Sequence, residues 1–166
     1  DLPFGKFRYK GVPIDNVSNY NSEKEQIVCI TSQTQLNLRQ VVFVTAQSMI
    51  KLVSGGEFDV SKRTVAATKL AEGDQVLSVM PLEEQSQVIL QTKEGFFLKF
   101  AIEEIPEQKK AALGARGMKL GPKDCVENVY YTSNAVECSI EYKGKAIDLN
   151  RMKTARRDGK GTKIRV

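Results

Sequence analysis

The chain has 166 residues, 41% of them hydrophobic and 27% charged, with 25 Lys and Arg against 20 Asp and Glu for a net charge of +5. That length suits one well-buried domain or several small units sharing an interface, and no apolar run approaches the ~20 residues needed to cross a bilayer. Histidine is absent, which removes Ser-His and Cys-His nucleophile pairs and histidine metal sites, and the three separated cysteines Cys29, Cys125 and Cys138 lack the spacing of a zinc or redox pair, reading instead as buried thiols in a reducing cytoplasm.

Asp1 in place of an initiator Met, with no signal-peptide pattern, reads as a fragment of a longer parent. In chain order, a connector runs from Asp1-Leu2-Pro3 into Lys6, Arg8 and Lys10, and a short apolar strand is predicted at Ile27–Ile30. A hairpin follows, with arms Val41–Thr45 and Met49–Val53 about the turn Ala46-Gln47-Ser48; β-branched and aromatic residues fill both arms, although this turn lacks glycine. A second connector, Glu57-Phe58-Asp59 to Lys62, Arg63 and Lys69, leads into a small-Lys-apolar strand, Ala67–Leu70, and a middle strand, Gln75–Val79. The second hairpin is Val88–Thr92 and Phe96–Phe100 about Lys93-Glu94-Gly95, and its connector runs from Glu104-Ile105-Pro106 to Lys109, Lys110, Arg116 and Lys119. Then come a small-Lys-apolar strand Gly117–Leu120, a middle strand Val126–Tyr130, a third hairpin Cys138–Tyr142 and Lys145–Leu149 about Lys143-Gly144, and a last connector from Leu149-Asn150 to Arg156, Arg157, Lys160, Lys163 and Arg165 that contains Gly161–Ile164.

The first arms of the hairpins start 47 and 50 residues apart, and the small-Lys-apolar elements are spaced by 50 and 44 when Lys69, Lys119 and Lys163 are aligned. Each period therefore reads as small-Lys-apolar strand, middle strand, hairpin and connector. Four strands per period without an amphipathic helix describe an all-β, propeller-like stack of four-stranded antiparallel blades. About three blades are present, at approximately 11–65, 66–113 and 114–166, either closed on themselves or left as an open crescent. One blade cannot bury both faces, so neighbours must stack. An ordinary β-sandwich with regular strand spacing is the competing architecture.

Charge is unevenly placed. Segment 151–166 holds Arg151, Lys153, Arg156, Arg157, Lys160, Lys163 and Arg165 against Asp158 alone, a net +6 that leaves residues 1–150 at −1. Connectors of stacked blades fall on one rim, so their cations would form a positive band able to bend duplex DNA through its phosphates with little sequence preference. Glycines in Gly114-Ala115-Arg116-Gly117 and Asp158-Gly159-Lys160-Gly161 would let backbone amides approach a phosphate, but neither stretch has P-loop spacing. The candidate DNA contacts are thus Lys6, Arg8, Lys10, Lys62, Arg63, Lys69, Lys109, Lys110, Arg116, Lys119, Arg156, Arg157, Lys160, Lys163 and Arg165. Glu83-Glu84 and Glu103-Glu104 read as solvated strand ends and Tyr130-Tyr131 as strand residues, so no catalytic set or metal site is expected. Phe4, Phe7 and Tyr9 read as inter-blade packing. A protein-interaction propeller is the alternative function, although the Trp-Asp blade signature is missing because the chain has no Trp.

On Val88–Phe100 (VILQTKEGFFLKF), Gly114–Leu120 (GARGMKL), Glu57–Leu70 (EFDVSKRTVAATKL) and Asp158–Val166 (DGKGTKIRV), the chain resembles the C-terminal repeats of bacterial gyrase and topoisomerase IV A subunits. The resemblance implies a β-pinwheel whose blades exchange a strand with their neighbours and whose basic rim bends DNA, holding a segment for strand passage. It implies as partners duplex DNA, the rest of the A subunit and an ATPase B subunit, in the bacterial cytoplasm on the chromosome and not in a membrane. The parent's ATP and Mg2+ would lie in other domains or subunits, with no cofactor in this one. Ala155–Gly161 keeps five of the seven residues of the gyrase box Gln-Arg-Arg-Gly-Gly-Lys-Gly, departing at Ala155 and Asp158 and lying late in the chain, which favours a topoisomerase IV-like subunit.

Overall fold

A computed structural model describes residues 5–165; Asp1-Leu2-Pro3 and Phe4, assigned above to the first connector and the aromatic set, lie outside the described residues. Three hairpins form where apolar, β-branched arms flank a tight turn: β1 (Gln40–Thr45) with β2 (Met49–Ser54), β4 (Gln87–Thr92) with β5 (Phe96–Ala101), and β8 (Ser139–Tyr142) with β9 (Lys145–Asp148). The turn without glycine has the same geometry as its counterpart: Ser48 takes φ 65° where Gly95 takes 85°. A threonine closes each of these first two turns, Thr45 Oγ1 accepting from the Met49 N–H at 3.1 Å and Thr92 Oγ1 from the Phe96 N–H at 3.2 Å.

Two hairpins grow into four-stranded antiparallel sheets by recruiting strands from later in the chain. β3 (Val76–Pro81) lies on the free edge of β1 and β6 (Ala115–Arg116) on that of β2, giving the order β3-β1-β2-β6. In the second sheet β7 (Val126–Thr132) lies beside β4 and β10 (Thr162–Lys163) beside β5, giving β10-β5-β4-β7. The middle strand therefore belongs to the hairpin before it, not the one after it, and the order read from the sequence is corrected accordingly. An aspartate locks each return: Asp74 Oδ1 accepts from the N–H groups of Gln47 (2.9 Å) and Gln75 (2.8 Å), and Asp124 Oδ1 from those of Glu94 and Cys125, both at 3.0 Å.

Two predicted strands are absent, and the recruitment rule explains why. Ile27–Ile30 and Ala67–Leu70 are irregular and largely exposed, Ile30 at 73%. Their counterparts pair with hairpins lying earlier in the chain, and among the described residues no hairpin precedes β1, so their amides have no sheet edge to join. The predicted strand Gly117–Leu120 is also displaced. Arg116 pairs with Met49 as Lys163 pairs with Phe96, so the exchanged strands recur 47 residues apart, and Lys163 corresponds to Arg116 and not to Lys119. One short helix, α1 (Gln33–Asn37), is capped by Ser32 Oγ, which accepts from the Gln35 N–H.

The sheets stack face to face. Val42, Val44, Ile50 and Leu52 of the first pack with Val88, Leu90, Leu98 and Phe100 of the second, and Ile102, Ile105, Met118 and Val126 complete this core. The opposite face of the first sheet carries Val41, Phe43 and Val53 with Leu36 and Phe58; that of the second carries Ile89, Phe97 and Leu149 against Ile140, Tyr142 and Ile147 of the third hairpin. Strands buried on both faces read as continuous apolar runs, which is why VVFV and VIL lack polar alternation. Two complete blades and a third hairpin thus make an open, pinwheel-like all-β stack. Cys29 is exposed and Cys125 and Cys138 are half-buried, correcting the expectation of three buried thiols; Phe7 and Tyr9 are exposed and pack no blade interface.

Ser48 ties the first hairpin turn to the segment that follows β6. Its side chain is fully buried, Oγ accepting from the Met118 N–H at 2.8 Å and its carbonyl from the Gly117 N–H at 2.7 Å. Ser48→Ala keeps the left-handed strain and strips the Met118 amide of its buried acceptor, so it is expected to cost about 1–3 kcal/mol by urea denaturation. Ser48→Gly loses the same bond but relieves roughly 1 kcal/mol of strain and is expected to be milder.

Candidate nucleic-acid interface

The connectors are tied along the outer strands. Leu52 and Lys99 form parallel bridges to Glu107 and Thr154, and the chain then loops outward before returning as β6 or β10. Buried lysines secure this path. Lys51 Nζ donates to the carbonyls of Lys110 and Ala112, both at 2.7 Å, and of Lys109 at 3.3 Å, while Lys99 Nζ donates to those of Leu149 (3.0 Å) and Asn150 (2.9 Å). Burial pushes the Lys51 ammonium pKa down, opposed by the nearby Glu57 carboxylate. Sequence reading passed over both lysines because each sits inside an apolar strand.

The outward loops present cations in register. Dibasic pairs stand at Lys62-Arg63, Lys109-Lys110 and Arg156-Arg157, each 47 residues from the last, a repeat more regular than the lysine alignment first suggested. Within the later two pairs the residues differ in environment. Lys110 and Arg157 fold back: the Lys110 N–H donates to Glu57 Oε2 (2.9 Å) and its Nζ to the Glu57 carbonyl (2.8 Å), and the Arg157 N–H donates to Glu104 Oε2 and its Nε to the Glu104 carbonyl, both at 2.9 Å. Arg157 Nη1 also reaches the Arg116 carbonyl at 2.6 Å. Lys109 and Arg156 remain exposed, Lys109 with a 3.2 Å ion pair to Glu57 that leaves its side chain 86% accessible.

The last two connectors are brought side by side. The Asp158 N–H donates to the Gly117 carbonyl (2.7 Å) and the Lys119 N–H to that of Gly159 (2.8 Å), so Arg116, Lys119, Arg156, Arg157 and Lys160 lie on two paired segments. Asp158 is the only carboxylate on those segments. It pairs with Arg116, whose Nη2 donates to Oδ2 at 3.0 Å and whose Nε bonds Oδ1. Arg116 is therefore already matched, and its hydrogen bond, followed by Coulombic attraction from Arg116, Lys119 and Arg157, holds the Asp158 carboxyl below the usual carboxylate range. Lys163 is exposed with its ammonium 5.3 Å from the Phe96 ring centroid. Lys62, Arg63, Lys69 and Arg165 are exposed on irregular backbone, and Lys6, Arg8 and Lys10 lie on the exposed stretch before the first blade.

The Tyr130 hydroxyl donates to Gln91 Oε1 (2.7 Å), the Tyr131 hydroxyl shares a 2.8 Å hydrogen bond with Ser78 Oγ and has its pKa pushed up by burial, and Glu83 pairs with Arg39 at the surface. Among the described residues no group of three or more His, Cys, Asp or Glu could hold a metal ion, and no helix is long and apolar enough to cross a membrane.

The DNA gyrase C-terminal domain, β-propeller, family model matches residues 39–83 and 86–133. The DNA gyrase A subunit of Lawsonia intracellularis is 28% identical over 126 residues, covering 75% of this chain and 15% of the relative. A crystal structure of the C-terminal domain of DNA topoisomerase IV superposes with a TM-score of 0.77 at 23% identity, over 93% of this chain and 50% of that one. The DNA gyrase A C-terminal domain gives 0.71 at 20% identity, over 93% of this chain and 53% of that one. The chain thus spans about half the length of these solved domains.

Because the Asp158 pKa is lowered by folding, its contribution to stability is present above the unfolded carboxylate value of about 3.9 and is lost as pH falls through the folded value. Asp158→Asn is expected to flatten that part of the acid limb, read as a smaller drop in thermal midpoint between pH 5 and 2 than the parent shows.

Proposed function

The chain belongs to the family of DNA gyrase C-terminal β-propeller domains, and from that premise we propose that it is a non-catalytic domain that binds and bends duplex DNA for a type II topoisomerase A subunit, holding a segment for strand passage. The observation that carries this reading is the recurrence of exposed cations at one point of successive repeats, Lys62, Lys109 and Arg156, at a strict interval of 47 residues. Solvated loops have no need of such a repeat. The rest of the A subunit, an ATPase B subunit supplying ATP and Mg2+ chemistry, and a cytoplasmic, chromosome-associated setting belong to the same proposal. So does the topoisomerase IV-like branch, which rests on Asp158 and Ala155 standing in the gyrase box and on the carboxylate that Asp158 brings against Arg116.

Electrophoretic shift of a 40-base-pair duplex across rising salt tests the reading. Affinity is expected to fall steeply, with a log–log slope of about −0.9 per phosphate contact. Lys119→Glu, Arg156→Glu and Lys160→Glu together are expected to lower that slope by roughly 3 and to weaken binding at least tenfold at low salt, with the urea midpoint unchanged. No shift even at low salt would remove the DNA-binding reading. A protein scaffold would instead keep its partners in a pull-down to which excess duplex had been added.

A further inference from the structure

The dibasic pairs carry a division of labour that charge counting does not show. Glu57 and Glu104 are 47 residues apart, and each receives the backbone N–H and the side chain of the second cation of the next connector: Lys110 on Glu57 and Arg157 on Glu104. Both carboxylates sit just past a hairpin, within short helical turns at Gly55–Phe58 and Ile102–Glu104. Each clamp thus fastens the outward loop of one repeat to the strand end of the repeat before it. The backbone N–H bond fixes the loop at the residue next to the exposed cation, Lys109 or Arg156. Hydrogen bonds in which one partner is ionised are the stronger kind, and two of them on one residue are enough to order a short loop. The carboxylate of Glu57 is held below its usual range chiefly by the Lys110 N–H.

We propose that Glu57 and Glu104 are positioning residues for DNA phosphate, and that Lys110 and Arg157 are the loop clamps while Lys109 and Arg156 are the phosphate contacts. The inference rests on the DNA-binding reading above and assigns roles within it. Its consequence runs against simple electrostatics. Deleting a carboxylate from a DNA-facing rim adds one positive charge and by charge alone tightens binding; deleting a positioning carboxylate frees the loop and weakens it. The clamp takes Lys in one repeat and Arg in the next: Lys110 reaches the Glu57 carbonyl alone, so Lys110→Arg is tolerated, whereas Arg157→Lys keeps the Glu104 carbonyl and gives up the fork's second bond, to the Arg116 carbonyl.

The full chain is titrated with a 40-base-pair duplex at 100 mM salt, with amide hydrogen exchange followed in parallel. Glu57→Ala with Glu104→Ala is expected to weaken binding three- to tenfold and to speed exchange of the Lys110 and Arg157 amides at least tenfold, at a temperature where the urea curve shows the protein folded. Glu104→Ala alone, a milder variant, is expected to do the same at Arg157 only. Lys109→Gln with Arg156→Gln is expected to lower the salt slope by about 2 with exchange unchanged. Tighter or unchanged binding in the Glu→Ala variants, or unchanged exchange at Lys110 and Arg157, overturns the assignment. If the parent chain itself fails to bind the duplex, the proposed function falls, and the exchange rates still decide whether the clamps order the loops.

Discussion

An exposed strand edge is a row of unpaired N–H and C=O groups, and the outer strands β2 and β5 would each present one. The chain satisfies them by sending a later segment back: β6 pairs with Met49 and Ile50, and β10 with Phe96 and Phe97. Most other features follow from this exchange. A returning strand must cross the space of a neighbouring blade, so each blade is covalently interleaved with another and its buried faces are shared, as the joint core of Val42, Ile50, Leu90 and Phe100 shows. At Ile27–Ile30 and Ala67–Leu70, before which no hairpin lies among the described residues to receive them, the same kind of sequence stays irregular.

The return path also decides where charge goes. Between the parallel bridge at Glu107 and β6, and again between Thr154 and β10, the connector must bulge away from the edge it is following. Backbone in such a bulge has no ladder partner, and the side chains of neighbouring residues take over. Lys51 gathers three connector carbonyls, Lys110 and Arg157 take the carbonyls of Glu57 and Glu104, and the two carboxylates take the freed amides. Some cations at this rim therefore hold the loop together, and others, Lys109 and Arg156 among them, face solvent. Net charge along the sequence does not separate the two kinds; hydrogen-bond geometry does.

Hairpin positions were legible in the sequence because burial on both faces writes continuous apolar runs, and all six arms match within a residue at each end. The third hairpin's second arm stops at Asp148, since Leu149 turns inward to the Ile89 and Phe97 core. Partner choice was less legible. A middle strand such as Val76–Pro81 carries no local mark of whether it joins the hairpin before or after it, because connector length permits both. Motif alignment misled at Lys119, where Gly117-Met118-Lys119, lying three residues past the true equivalent, imitates the Gly161-Thr162-Lys163 at β10; the pairing of Arg116 with Met49 restores the interval of 47. Most of the candidate cations lie on exposed connectors as expected. What sequence reading missed was their partners, Glu57, Glu104 and Asp158, although the 47-residue recurrence of Glu57 and Glu104 was there to be found.

Among the described residues three non-glycines take a left-handed backbone; Lys143 does so in the turn of the third hairpin, and the other two stand beside cross-links between segments. Ser48 and Asp158 hold φ of 65° and 68°, a left-handed conformation that costs an ordinary residue roughly 1 kcal/mol and glycine nothing. Neither is replaced by the glycine that sits at the matching turn or in the gyrase box, and in both cases the side chain reaches across to another segment: Ser48 Oγ to the Met118 amide and the Asp158 carboxylate to Arg116. A glycine would relieve the local cost and break the cross-link. The two bonds also share a segment, since Arg116 and Met118 flank Gly117, whose own amide is bound by the Ser48 carbonyl and whose carbonyl is bound by the Asp158 amide. Residues 116–118 are thus gripped from the first blade on one side and from the last connector on the other, so a cation of the rim, Arg116, is fixed by the same contacts that hold the stack together.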